Sequence, residues 1–561
     1  MTPLTEASAE EHLAGICFKI GPPRLIGVET EWFVHDSRCP DTPVDPARAA
    51  AAIATLPGHP EDPRLPAGAT LTHEPGGQVE LSSPPAEGAA RCATDLLRDQ
   101  AALRAAYATQ GLCLTGSGTD PLARERRMQL AHPRYVAMEK YFDQAGPWGR
   151  IMMCGTASVQ VSVDAGTAGG AQSLAARWRL VHLLGPVLVA AFANSPLLDG
   201  RPTGYRSTRQ MVWSRMDPSR TLAPRPNGDG DPRTAWARYV LDARVLCVQR
   251  RDGLPWTAPT GLTFRDWLRG AGERPATLAD LDYHRTTLFP PVRPRGHMEL
   301  RMLDAQPGDG WLTPLALVSA LLDDPVAADE ALEALERLHA VAGVDARGGA
   351  NIHGGVNAHD KVNVGAGVNA HGGAGARDGV NIHAGVNGSE PGTVHTSATI
   401  HPTVNDGGSV NGDQGMNGDR GVNAGAAVNA DRSVNAGAAV NGDRAVNAGR
   451  TVNGDRAVNM RRSVNARGTA RADFIANAPR NALWQRAAVL GMTDPELRRA
   501  ALACFGAAER ALSRGAGAEL LRERLTAFAE RYPARGRCPA DDQLDTLRAG
   551  ARPVPEEAAP C

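Results

Sequence analysis

Four short segments of this chain alternate apolar and polar side chains with a period of two: LIGVETEWFV, LTHEPGGQVELSS, TASVQVSVD and GHMELRML. Period two is the geometry of a strand, whose successive side chains point to opposite faces. The first segment therefore sets Glu29 and Glu31 on one face and Val28, Thr30, Trp32 and Val34 on the other. In the second, Pro75-Gly76-Gly77 predicts a hairpin turn that pairs Glu74 with Gln78, so that Thr72 and Glu80 follow on the same side. The third places Ser158, Gln160, Ser162 and Asp164 opposite Val159, Val161 and Val163. The fourth projects His297, Glu299 and Arg301 together, away from Met298, Leu300 and Met302.

Water on the outer face of an antiparallel sheet explains such alternation in any single strand. The explanation weakens when carboxylates recur on several strands, because like charges on neighbouring strands destabilise the pairing. A positive partner is required. Magnesium suits the pattern, as a hard ion that takes oxygen ligands and bridges carboxylates to nucleotide phosphates. The stretch TTLFPPVRPRGHMELRML also brings Arg293, Arg295 and Arg301 beside Glu299, and guanidinium forks bind phosphate and carboxylate in a bidentate manner. A second basic stretch, NSPLLDGRPTGYRSTRQMVWSRMDPSR, sets Arg206, Arg209, Arg215 and Arg220 around Trp213. Either these arginines are ordinary surface charges or they line a binding loop.

The surroundings of these segments define a mixed chain. From the start to about residue 342, short alternating runs are interleaved with helical stretches such as 89–109 and 171–193. Residues 343–469 are almost free of large apolar side chains, and Val-Asn recurs there on a six-residue step that keeps its phase through Val464. One side chain per six residues buries too little to offset backbone ordering of roughly 1 to 2 kcal/mol per residue, which favours a disordered insertion over a β-helix built on the same step. From 470 to 561, apolar residues return at helical spacing. Lys and Arg number 60 against 61 Asp and Glu, a balance that gives no field suited to nucleic acid or an anionic membrane. No run is read as reaching the roughly 20 apolar residues of a spanning helix, and the start lacks a secretory pattern, so the cytoplasm is the expected location. Nine scattered cysteines without a CxxC pair suggest neither a zinc knuckle nor a disulfide framework.

The segments GVETEWFV, EPGGQVELS, TASVQVSVD, NSPLLDG with STRQMVWSRMD, and TTLFPPVRPRGHMELRMLD, in this order, resemble the plant and actinobacterial type of glutamate-cysteine ligase. The likeness is strongest to the actinobacterial subgroup of the ergothioneine pathway, whose tail is similar to RGRCPADD around Cys538. It covers roughly 24–342 and 475–545 and leaves the Val-Asn repeat without counterpart.

The resemblance implies an α+β, glutamine-synthetase-like catalytic domain. Its curved antiparallel sheet would form an active-site funnel, with helices on the outer face, ATP entering from one end, amino acids from the other, and Mg2+ between. It further implies that Glu29, Glu31, Glu74, Glu80 and Glu299 hold the metals, with Glu29, Glu31, Glu299 and Arg301 central to catalysis. Gln160, Arg295 and Arg301 would serve the nucleotide. Arg293, Arg209, Trp213 and Gln78 would serve the substrates, with the choice between Arg293 and Arg209 for the substrate carboxylate left open. The implied substrates are glutamate and cysteine. Three other readings remain: a ligase of the same fold acting on another amine, a binding protein built on the Val-Asn array, and a guanidino phosphotransferase.

Overall fold

The computed structural model describes residues 4–21, 25–59, 62–224, 230–250, 253–343, 478–515 and 517–551. The Val-Asn repeat, and with it the expected insertion at 343–469 apart from Gly343, lies outside the described residues.

Among the described residues, the alternating segments supply five strands of one eight-stranded sheet. Its strands are β1 (Leu25–Asp36), β2 (Thr70–His73), β3 (Val79–Ser82), β4 (Ala86–Glu87), β5 (Leu112–Thr115), β6 (Ser158–Asp164), β7 (Val292–Pro294) and β8 (His297–Asp304). The hydrogen-bonded order is β7-β8-β6-β1-β3-β2, and β4 and β5 also pair with β1. Every pairing is antiparallel.

Register follows from the pleat: Val28, Trp32, Val79, Leu81, Val161, Met298 and Leu300 are all buried on the apolar side. Against that face lie the helices α3 (Leu174–Ala191) and α5 (Leu312–Asp323). Contrary to the expectation that no run approaches spanning length, α3 is 18 residues long and apolar enough to cross a membrane, but 72% of it is buried inside the protein. Its second half, from Leu183 to Ala191, is apolar throughout because sheet and helices cover it on several sides.

The turn between β2 and β3 shows why its glycines are there. The backbone N–H of Glu74 donates to the carbonyl of Gln78 at 2.8 Å, and Gly77 adopts φ +87°. A Cβ at Gly76 would lie 2.4 Å from Cys154 Cα, so the hairpin tip can approach the helix Trp148–Gly155 only without a side chain there.

Residues after the repeat complete the same core. They form α7 (Ala478–Leu490), α8 (Pro495–Arg514), α9 (Glu519–Arg531) and α10 (Pro539–Arg548). Phe505 and Phe528 stack with an interplanar angle of 4°, and Phe192, just past the end of α3, packs against Phe528 at 4.9 Å. The carbonyl of Ala488 in α7 accepts from the N–H groups of both Arg206 and Ser207, at 2.8 and 2.9 Å. The late helices are thereby fastened to the loop that precedes α4 (Thr208–Ser214).

Candidate active site

On the polar side of the sheet, register puts Glu31 opposite Glu80 and Glu29 opposite Gln160. Glu299 faces Ser162 on one neighbour and Arg293 on the other. Acidic groups thus come from β1, β3 and β8, and Glu74 joins them from the hairpin. The strand pairs slip register between Leu300 and Leu303, which breaks the regular alternation at Arg301.

The carboxylates divide into three environments. Glu299 is fully buried and accepts from Arg293 at 2.6 and 3.2 Å, from Arg295 at 3.2 Å and from Arg301 at 3.1 Å. Burial alone would raise its pKa, but Arg293, Arg301 and Arg295 override that and hold it far below the usual carboxylate range. Glu31 and Glu80 accept neutral donors. Glu31 takes the Ser158 N–H at 2.9 Å, the Ser158 hydroxyl at 2.7 Å and the Gln160 amide at 3.0 Å, whereas Glu80 takes the Thr72 hydroxyl at 2.7 Å. Burial raises both pKa values, and the charge of Glu31 adds to the effect at Glu80.

Among the described residues, the side chains of Glu29 and Glu74 show no hydrogen bond or ion pair. Burial, then the charges of Glu299 and Glu80, lifts Glu29 to about 7. Burial, then the charges of Glu31 and Glu80, lifts Glu74 to about 8. Two desolvated carboxylates held near other carboxylates form a site that favours a proton or a cation.

The basic residues are divided as clearly. Arg301 donates to Gln160 Oε1 and to Glu299, and so joins the acidic half of the face to the basic half. Arg293 is committed to Glu299, with a further contact to the carbonyl of Leu288 at 3.4 Å. Arg209 is 3% exposed, and its Nη2 donates to the carbonyl of Arg301 at 2.9 Å. Its Nε and Nη1 have no hydrogen-bond partner, and the guanidinium lies 5.8 Å from the Trp213 ring. Trp213 Nε1 is likewise buried without a partner.

The other arginines of the basic stretch around Trp213 have partners outside the acidic face. Arg220 is wholly buried against Asp217 and backbone carbonyls, Arg206 pairs with Asp541, and Arg215 lies over Trp148. Gln78 is 2% exposed and donates to the carbonyls of Thr156 at 2.9 Å and Met153 at 3.3 Å. It pins the hairpin to the end of the helix Trp148–Gly155 with both amide hydrogens, and its Oε1 is buried without a hydrogen-bond partner.

Two features escaped the sequence. Tyr135, on α2 (Pro133–Asp143), has its pKa raised by burial and then by the charge of Glu74. Asp304 accepts from the N–H of Asn194 at 2.9 Å and from the hydroxyls of Ser195 at 2.7 Å and Ser207 at 3.0 Å. Neither has a local pattern, although Asp304 closes a strand that already carries Glu299 and Arg301.

Residues 25–347 match the model of glutamate-cysteine ligase family 2. The chain belongs to this family. Among curated proteins, it is 44% identical over 341 residues to glutamate-cysteine ligase EgtA of Mycolicibacterium smegmatis, covering 59% of this chain and 77% of that one. EgtA of Mycobacterium tuberculosis is 42% identical over 338 residues, covering 59% and 76%. The chloroplastic glutamate-cysteine ligase of Medicago truncatula is 31% identical over 271 residues, covering 47% and 52%. A solved glutamate-cysteine ligase from Francisella tularensis, in complex with AMP, aligns over 60% of this chain and 73% of its own at 14% identity, with a TM-score of 0.32, too low to define a shared fold.

Proposed function

We propose that this protein joins the side-chain carboxylate of L-glutamate to the amine of L-cysteine at the expense of ATP. The product is γ-glutamylcysteine, used in the cytoplasm for ergothioneine or another low-molecular-weight thiol. The observation that carries this reading is the polar face of the sheet, where an acidic half that demands a cation adjoins an arginine half suited to phosphate. The sheet is taken to curve into a funnel whose two ends admit nucleotide and amino acids. The ligase comprises residues 1–342 with 470–561, and the Val-Asn insertion stands outside its machinery.

The donor set fits magnesium, since carboxylate oxygens are its preferred ligands and the unpartnered Glu29 and Glu74 repel their neighbours. Among the described residues no three His, Cys, Asp or Glu side chains already form a cage. That suits an ion held by one or two carboxylates, with phosphate oxygens and water completing its shell. Two of the carboxylates Glu29, Glu74 and Glu80 would hold it, with Glu31 beside them, and when bound it would neutralise charge on the transferring phosphoryl group. Glu299 enters the site through its arginines, orienting Arg301 and Arg295 toward the nucleotide tail.

A carboxylate does not react with an amine until one oxygen becomes a leaving group. The glutamate side-chain oxygen therefore attacks the terminal phosphorus of ATP, ADP departs, and an acyl phosphate results. Arg301 and Arg295 face the charge that accumulates during this transfer, an electrostatic contribution of about 3 to 4 kcal/mol for a well-placed donor. The cysteine amine then attacks the acyl carbon, the C–O bond to phosphate breaks, and the amine proton leaves with buffer or phosphate. Arg209 is favoured over Arg293 for the substrate carboxylate, because only Arg209 keeps two N–H-bearing nitrogens uncommitted.

The test is phosphate release with ATP, glutamate and each amino acid in turn, with products identified by mass spectrometry. γ-Glutamylcysteine as the dominant product is expected. Preference for another amine would transfer the site to a different ligation, and no ATP-dependent product with any amine would refute the ligase reading.

A further inference from the structure

The helix α10 lies beyond the part of the chain that the family model matches, yet it reaches the segment that leads into α4, the helix that carries Arg209. Its first turn is fixed by Asp541, which accepts from the Cys538 N–H at 3.0 Å and from Arg206 Nε at 2.7 Å, while the Ala540 N–H donates to the Ala193 carbonyl at 2.9 Å. One turn further on, the Gln543 side-chain amide donates to Asn194 Oδ1 at 2.7 Å, to the Asn194 carbonyl at 3.1 Å and to Ser117 Oγ at 3.2 Å. The nitrogen has two hydrogens for these three acceptors, so one is shared, and all three lie on the nitrogen side of the amide, whose Oε1 is buried without a partner.

Asn194 passes this constraint inward. Its own amide donates to the carbonyls of Gly116 at 3.0 Å and Ala305 at 2.8 Å, and its backbone N–H reaches Asp304. Asp304 gathers the Ser195 and Ser207 hydroxyls, and Ser195 Oγ in turn accepts the backbone N–H of Arg209 at 3.1 Å. The path from Gln543 to Arg209 is thus an unbroken series of short hydrogen bonds through buried groups, where misalignment is costly. Arg209 itself has no carboxylate in hydrogen-bond contact to hold its guanidinium, with the nearest Asp304 oxygen 4.0 Å from Nη1. Its aim depends on where its backbone and its Nη2 contact are placed.

We propose that Gln543 is a positioning residue of the ligase site, setting the Asn194-Ser195 turn and, through Asp304, the orientation of Arg209. The proposal rests on the reading that Arg209 holds the carboxylate of substrate glutamate. It makes the last of the described helices a determinant of glutamate affinity, although that helix lends no atom to the substrate.

Steady-state kinetics of the full-length protein test it, with glutamate, cysteine and ATP varied separately in wild type, Gln543→Ala, Arg209→Gln and the double variant. Loss of the amide donor is expected to raise the KM for glutamate about five- to tenfold, the scale of one well-made hydrogen bond, and to leave the KM for ATP within about twofold. In the double variant the KM for glutamate should equal that of Arg209→Gln alone, since residues acting through one another are not additive. Gln543→Met, which keeps the side-chain length and removes the whole amide, replaces Gln543→Ala should the latter fail to fold. A lower kcat at unchanged glutamate KM in the Gln543 variants, or an additive double variant, would overturn the proposal while leaving the role of Arg209 standing. An unchanged glutamate KM in Arg209→Gln would remove the role of Arg209 and the proposal with it.

Discussion

Replacing Glu29 by Gln should make the metal-free protein more stable while abolishing ligation. The carboxyl of Glu29 titrates at about 7 in the fold against 4.5 for an ordinary glutamate, because burial and then Glu299 and Glu80 oppose its charge. A group whose folded pKa is raised contributes stability that is present below pH 4.5 and lost as pH rises through 7. A difference of about 2.5 pKa units corresponds to about 3 kcal/mol, of which about 1 to 3 should be recovered at pH 8 once the side chain is neutral. Partial access of water and coupling to neighbouring carboxylates keep the gain toward the lower end. Thermal unfolding in chelator at pH 8 should show the variant melting a few degrees higher than wild type, and the difference should vanish at pH 4.5. Added magnesium and nucleotide should stabilise wild type and not the variant, since only a species that binds the ion in the folded state gains from it. A variant that melts lower than wild type in chelator at pH 8 would mean that Glu29 is well satisfied in the empty protein, and the electrostatic account of the acidic half would fall.

Glu299→Gln should behave in the opposite sense. Removing the one carboxylate that three arginines share leaves buried guanidinium charge uncompensated, so unfolding should move by about 3 to 5 kcal/mol toward instability along with loss of turnover; chemical denaturation would detect it, and unchanged stability would show that the arginines have found other partners. Exchange of residues 344–477 for a short Gly-Ser linker should leave glutamate, cysteine and ATP kinetics within about twofold of wild type, because every side chain assigned to the site lies outside that stretch. Loss of ligation by a variant that still melts cooperatively would instead assign the repeat a part in the reaction.

The sequence showed the sheet because its strands are half-buried: period two survives wherever one face meets a core and the other does not, as with Val28 and Glu29 or Met298 and Glu299. It showed the Pro75-Gly76-Gly77 turn because the geometry leaves room for few residues. It could not show how the carboxylates differ. Glu29 and Glu299 both stand on strand faces, yet one is opposed by its neighbours and the other clasped by arginines from β7 and β8, a distinction set by register and by the slip after Leu300. Nor could it tell Arg209 from Arg220, which lie in one basic stretch and differ only in what packs around them. The Asp304 cluster and Gln543 were invisible for a related reason, because the contacts between α10 and Asn194 join residues about 350 positions apart, and no local pattern marks such a pair.

The Phe192, Phe505 and Phe528 cluster bears on how the protein comes to exist at all. Phe192 emerges from the ribosome long before its two aromatic partners, and the 134 residues numbered 344–477 must be translated in between. At a synthesis rate of about 5 to 20 residues per second, that stretch alone delays closure by about 7 to 27 seconds. For that interval the nascent chain presents an unfinished oily seam to the cytosol, so cells making this protein should rely on chaperone capture during translation more than they would for a version lacking the repeat.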